Sequence, residues 1–212
     1  MSVNQSIEVS IENCQTLILC ESTKNGLDIN FLQEVIQSLN ILKLTPYHIK
    51  PKGSISEVLE YLENGLHTEN VVTTKKLKSL VIIVDADEEP QKRFQDIVKK
   101  LSAYKTFNCP EYIGSSPNTN WQNISVFIYL FPNNQCKGSI ETLCLETLDK
   151  KKMNCIKQYF SCLSSQSIDT NMTENILSKS QFRVFFASPN PNEYVKSILR
   201  VVDFNHASFQ PL

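Results

Sequence analysis

An apolar run ends in four acids within five residues: Leu80-Val-Ile-Ile-Val-Asp85-Ala-Asp87-Glu88-Glu89, followed at once by Pro90. Two carboxylates spaced by one residue in an extended segment point to the same side. Held close, they repel each other unless a proton or a cation lies between them. The chemistry on offer is divalent-cation binding by Asp85 and Asp87, and hard oxygen ligands favour Mg²⁺. The plainer alternative is a solvated acidic turn that opens a helix at Pro90, where a missing N–H costs nothing and negative charge meets the helix dipole.

Three further acids are placed to join such a site. Glu21 ends another apolar run, Gln15-Thr-Leu-Ile-Leu-Cys-Glu21, and Glu141 falls in the first turn of a helix that Ser139 can cap. Asp28 reads as a helix amino-terminal cap, and Asp28 and Glu88 stand as supporting residues. In a parallel sheet the carboxyl ends of all strands share one edge, where ligands bind. Acids far apart in sequence can therefore converge there, hold a divalent ion, activate water and steady phosphate charge.

The elements that must position these groups follow from periodicity. Unbroken β-branched runs mark strands buried on both faces at Gln15–Glu21, Leu80–Asp85 and Ile124–Phe131, and Leu44–Ile49 reads as a shorter strand. Helices are predicted at Asp28–Leu42, with Phe31, Leu32, Val35, Ile36 and Leu39 as the buried stripe, and from the Ser54/Glu57 capping box, with Val58, Leu59, Leu62 and Leu66 inward. A third helix, Pro90–Tyr104, turns Phe94, Ile97, Val98 and Leu101 inward. Phe107–Gln122 and Pro132–Gly138 read as loops. Past Met153 the pattern predicts helices at Met153–Ser164, Thr173–Phe186 and Asn192–Val201, with Phe182–Ala187 the one stretch that also reads as a strand. The order β-α-β-α-β-α is that of an α/β fold: a mostly parallel central sheet of about four strands flanked by helices, with a helical C-terminal part. A single domain over 1–212 is expected, with a core at 15–150 and a helical extension at 151–212.

Composition narrows the function classes. A net charge of −1 and a pI near 6.3 give no global attraction to nucleic acid or acidic membrane. Any nucleic-acid contact must come from local clusters such as Lys75, Lys76 and Lys78, Lys99 and Lys100, or Lys150 to Lys152, with Tyr112 and Trp121 as stacking candidates. No apolar run reaches the roughly 20 residues of a membrane span. The seven cysteines are scattered and form no Cys-x-x-Cys pair, so reduced thiols in a cytoplasmic protein are expected. Nucleophilic hydrolase chemistry has no support: Gly-x-Ser-x-Gly is absent, and His48, His67 and His206 have no readable partner.

Four pieces together resemble the Toprim domain, the nucleotidyl-transferase and nuclease module of topoisomerases, primases and OLD nucleases. They are Leu17-Ile-Leu-Cys-Glu21, Val84-Asp-Ala-Asp-Glu-Glu-Pro-Gln-Lys-Arg-Phe94, Leu130-Phe-Pro-Asn-Asn-Gln135 with Gly138-Ser-Ile-Glu141, and Asp203-Phe-Asn-His206. More closely, the chain resembles a small stand-alone Toprim-like bacterial family, the DUF3226 type. The resemblance implies a Toprim-like Rossmannoid fold, Glu21 as general acid/base, and Asp85, Asp87 and Glu141 as Mg²⁺ ligands. It further implies a metal-dependent nuclease or phosphodiester hydrolase in DNA processing or phage defence, with nucleic acid or a partner protein as the partner. Toprim usually places Gly after the glutamate, whereas Ser22 stands here. Two alternatives stay open: a Toprim-fold binding module without turnover, and a nucleotide-sugar transferase that uses Asp-x-Asp to hold a metal.

Overall fold

The structure is a computed structural model that describes residues 8–24, 26–39, 45–117, 123–148, 150–166 and 172–187. Asn40 to Leu44, Trp121, the 192–201 helix and the Asp203–His206 segment lie outside the described residues. In chain order the elements are β1 (Thr16–Glu21), α1 (Leu27–Leu39), β2 (Tyr47–Lys52), α2 (Ile55–Glu60), α3 (Asn70–Thr73), β3 (Ser79–Asp85), α4 (Pro90–Ser102), β4 (Phe107–Asn108), β5 (Ile124–Phe131), α5 (Ile140–Glu146), α6 (Lys150–Ser165) and α7 (Glu174–Ala187). Five strands form an all-parallel sheet in the order β2-β1-β3-β5-β4, flanked by helices. β1 is paired on both sides, Thr16 to Tyr47 of β2 and Thr16 to Ser79 of β3. The expected α/β architecture is thus the observed one.

By contact the chain divides into two compact units. The first holds Met1–Val84 and Glu89–Leu130; the second holds Asp85–Glu88 and Phe131–Leu212.

In the first unit, Leu17, Ile18, Leu19 and Cys20 are all buried, as are Leu80, Ile82, Ile83 and Val84. Such unalternating strands need cover on both faces. α1 supplies Phe31, Leu32, Val35 and Ile36, and α4 supplies Phe94, Ile97 and Leu101. Each buried side chain of this size contributes about 1.5–3 kcal/mol. Pro90 occupies the opening turn of α4, as its lack of an N–H allows. Ser54 caps α2 by accepting from Glu57 N, while Glu57 reaches back to Gly53 N. Beyond Glu60 the helix widens into a π turn at Tyr61–Gly65, which buries Tyr61 beside Leu62.

Two expectations are corrected here. β2 begins at Tyr47 and runs through Pro51, because β2 is an edge strand and a proline there forfeits no ladder bond it needs. The sheet has a fifth strand: Phe107 and Asn108, expected in a loop, pair with Ile124 and Ser125. Two residues are too few to leave a periodic signature. The helix predicted at Thr173–Phe186 is observed as α7, and Phe182–Ala187 is its end, not a strand.

In the second unit, α7 packs on α5 and α6. The core comprises Phe131, Ile140, Leu143, Cys144, Leu145 and Phe182, with Ile156 from α6.

Candidate functional site

Asp85 is the last residue of β3, and the chain leaves the strand through buried Ala86, whose N–H donates to Phe131 O. Asp87 then turns into the left-handed region, with φ of 51°. Short polar residues tolerate that conformation best. Its backbone exchanges two hydrogen bonds with Gly138: Asp87 N to Gly138 O at 2.9 Å and Gly138 N to Asp87 O at 2.8 Å. Gly138 itself has φ of +133°, and a Cβ there would stand 2.7 Å from Thr142 Oγ1. Glycine is required on both counts.

This turn sets the two carboxylates. Asp85 Oδ1 accepts from Ile140 N at 3.1 Å, and Asp85 Oδ2 pairs with Lys179 Nζ at 3.1 Å. Asp87 Oδ1 accepts from Asn175 Nδ2 at 2.8 Å and lies 3.8 Å from Lys179 Nζ. Both aspartates therefore converge on one positive charge carried by α7. The convergence comes from the left-handed turn at Asp87, not from the strand alternation that the Asp-x-Asp spacing implied.

Glu141, in the first turn of α5, accepts from the buried Ser139 hydroxyl at 2.7 Å. Thr142 Oγ1 accepts from Ser139 N, which secures the start of the helix. Burial works against the charge on Lys179, but Asp85, then Glu141 and Asp87, outweigh it and hold the ammonium's pKa above its ordinary value. Glu88 faces outward and pairs with Lys137 at 3.5 Å, a contact between exposed groups that is worth little.

Asp85, Asp87, Glu88 and Glu141 thus lie together in the second unit. Glu21 and Asp28 belong to the first. There Glu21 Oε1 accepts from Ile55 N at 3.0 Å, which ties the end of β1 to the start of α2. Asp28 is not the cap that the sequence suggested: α1 already begins at Leu27, which puts Asp28 in its first turn, and burial, aided by the Asp28 charge, pushes the Cys20 thiol up to about 12. Ser22 is buried and donates to Thr23 O, and a Cβ at Gly26 would stand 2.2 Å from its hydroxyl.

Lys179 and Asn175 escaped the sequence reading. They stand 94 and 88 residues from the aspartates they touch. The available signal was their spacing: Asn175, Lys179 and Phe182 recur at i, i+4 and i+7 and share one helix face.

The oxygen donors suit a hard divalent ion. Among the described residues no three His, Cys, Asp or Glu side chains are arranged to hold a metal. An ion here would take the two aspartates and complete its shell with water or phosphate oxygens, which is how Mg²⁺ binds at most phosphate-handling sites.

A family model described as Protein of unknown function (DUF3226) matches residues 15–212. No curated protein and no solved structure matches the chain. The matched region takes in every strand and every helix from α1 to α7 together with the Asp85/Asp87 turn, and the chain belongs to the DUF3226 family.

Proposed function

We propose that this chain is a Toprim-like, Mg²⁺-binding protein of the cytoplasm that hydrolyses phosphodiester bonds in nucleic acid. The observation that supports this most is the convergence of Asp85 and Asp87 on a single cationic group. The Toprim resemblance supplies the reaction class. Asp85 and Asp87 would hold the ion, with Ile140 N and Asn175 fixing the carboxylate rotamers. Glu141, braced by Ser139, adds negative charge beside them. When bound, Mg²⁺ supplies neutralisation of phosphate charge and a lowered pKa for coordinated water. In hydrolysis a water oxygen gives up one proton to a base and forms the new bond to phosphorus, the ester P–O bond breaks, and the leaving oxygen takes a proton. Glu21 carries the acid/base role that the resemblance implies. The exposed Lys150, Lys151, Lys152 and Lys157 of α6 suit contact with a phosphate backbone.

The test is cleavage of labelled single- and double-stranded DNA and RNA by the full chain, with Mg²⁺ or with EDTA. The proposal expects cleavage that requires Mg²⁺ and is lost in Asp85→Asn. A specific observation favours a second reading, a binding module without turnover: Lys179 already offsets part of the pair's negative charge and bridges both aspartates. Nucleic-acid binding unaffected by EDTA and by Asp85→Asn, with no cleavage, would establish that reading in place of the first.

A further inference from the structure

α7 is secured to the second unit in an uneven way. Among its described side chains only Phe182 is buried, while Ile176 and Val184 are exposed. One turn to two turns ahead of Phe182, on the same face, Asn175 and Lys179 reach the two aspartates. On another flank Ser178 and Gln181 border a cleft of about 520 Å³, shared with Leu145 and Leu148 of the α5 end and Met153 of α6. Among the described residues, α7 is held by its packing on α5 and α6, with Phe182 buried, and by Asn175 and Lys179 on the carboxylates of the acid pair.

We propose that Asn175 and Lys179 form a cation-exchange latch: α7 straps the Asp85/Asp87 pair when no divalent ion is bound, and Mg²⁺ displaces Lys179 and releases the helix. The inference rests on the reading of the pair as a divalent-cation site and assigns that site its regulation. The physical reason is competition for the same oxygens. Lys179 Nζ lies 3.1 Å from Asp85 Oδ2 and 3.8 Å from Asp87 Oδ1. Mg²⁺ binds carboxylate oxygens at about 2.0–2.1 Å and carries twice the charge, so it repels an ammonium held against the same groups. Asn175 follows, because its acceptor is Asp87 Oδ1. Linkage makes the effect reciprocal: whatever weakens the strap tightens the metal. The released face of α7 exposes Asn175 and Lys179 at the mouth of the site, so the lysine becomes available to a phosphate only after the metal is in place.

The test uses the full chain with MgCl₂ alone, and two readouts. Calorimetry measures Mg²⁺ affinity in wild type, Lys179→Met, Asn175→Ala and Asp85→Asn. Hydrogen exchange follows peptides across Glu174–Ala187, with α4 as the internal reference. The latch predicts that saturating Mg²⁺ speeds exchange in α7 about tenfold and leaves α4 unchanged. It also predicts that Lys179→Met binds Mg²⁺ about tenfold more tightly than wild type, and that Asn175→Ala binds more tightly while keeping the lysine. Mg²⁺ binding by Lys179→Met but not by wild type would overturn the latch, since Mg²⁺ then never displaces the lysine. If Mg²⁺ binds, with loss in Asp85→Asn, yet α7 is unchanged or better protected, the latch is wrong and the metal site stands. If neither wild type nor Lys179→Met takes up Mg²⁺, the metal site is wrong and the latch falls with it.

Discussion

Asp85 and Lys179 can be uncoupled by a double-mutant cycle, using Asp85→Asn, Lys179→Met and the pair together. Asparagine keeps an oxygen for Ile140 N, and methionine keeps most of the lysine stem, so each change removes charge and little else. At the observed separation of 3.1 Å, the Coulomb attraction is about 5 kcal/mol at an effective dielectric of 20 and about 1 kcal/mol in bulk water. The side chains are 30% and 16% exposed, which places the pair between those limits. Burial of the ammonium, the largest influence on Lys179, opposes the attraction. A net coupling of about 1–2 kcal/mol remains once that desolvation is subtracted. For a chain of this size each kcal/mol moves the melting temperature by about 2–4 °C, so each single variant is expected to melt about 2–8 °C below wild type. The double variant should melt close to the singles, not at the sum of their losses. The assay is urea unfolding of the four proteins in EDTA, repeated at high salt, where a partly buried pair should lose only part of its coupling. Additive losses within about 0.3–0.5 kcal/mol would refute the pair as a fastening.

Gly138→Ala places a side chain at φ of +133° and within 2.7 Å of Thr142 Oγ1; a loss of about 1–3 kcal/mol in chemical denaturation is expected, together with weaker Mg²⁺ binding because Gly138 braces the Asp87 turn. The pKa of Lys179 is raised by folding, so its contribution is fully present below the ordinary lysine pKa and lost as pH climbs through the higher folded value. The stability difference between wild type and Lys179→Met should therefore stay flat from neutral pH to about 10 and shrink above it, as read from urea midpoints across that range. Glu21→Gln keeps an acceptor for Ile55 N, so it should fold and bind Mg²⁺ as wild type does while cleavage falls about 10²–10⁴-fold; unchanged cleavage would remove Glu21 from the chemistry.

Much of the frame was legible because it rests on local pattern. β1, β3, β5 and α4 announce themselves as apolar runs or a 3.6-residue stripe, and Pro90 marks the start of α4 within a residue. The misses have physical causes. The strand expected to stop at Ile49 runs on through Pro51, which only its place at the sheet edge, a tertiary fact, makes harmless. Phe107 and Asn108 are strand only because Ile124 and Ser125 lie beside them. At the site, the acids were visible as strand-end carboxylates, and the bracing of α5 by Ser139 was visible as a cap. The geometry that unites Asp85 with Asp87 was not, because it depends on a left-handed turn held by Gly138, which is remote in the sequence. Lys179 was least legible of all: a lysine in a helix is ordinarily solvated, and nothing local in Ser178-Lys179-Ser180 marks it as the counter-ion of residues in β3 and its turn.

The central claim is that Asp85 and Asp87 bind a divalent ion. Its most direct measurement is an anomalous difference map from crystals of the full chain soaked in Mn²⁺, a Mg²⁺ surrogate with usable anomalous scattering. The account predicts a peak about 2.1 Å from oxygens of both aspartates, absent from Asp85→Asn crystals grown alike. An empty map at that position, at Mn²⁺ concentrations that load other hard-oxygen sites, would contradict it.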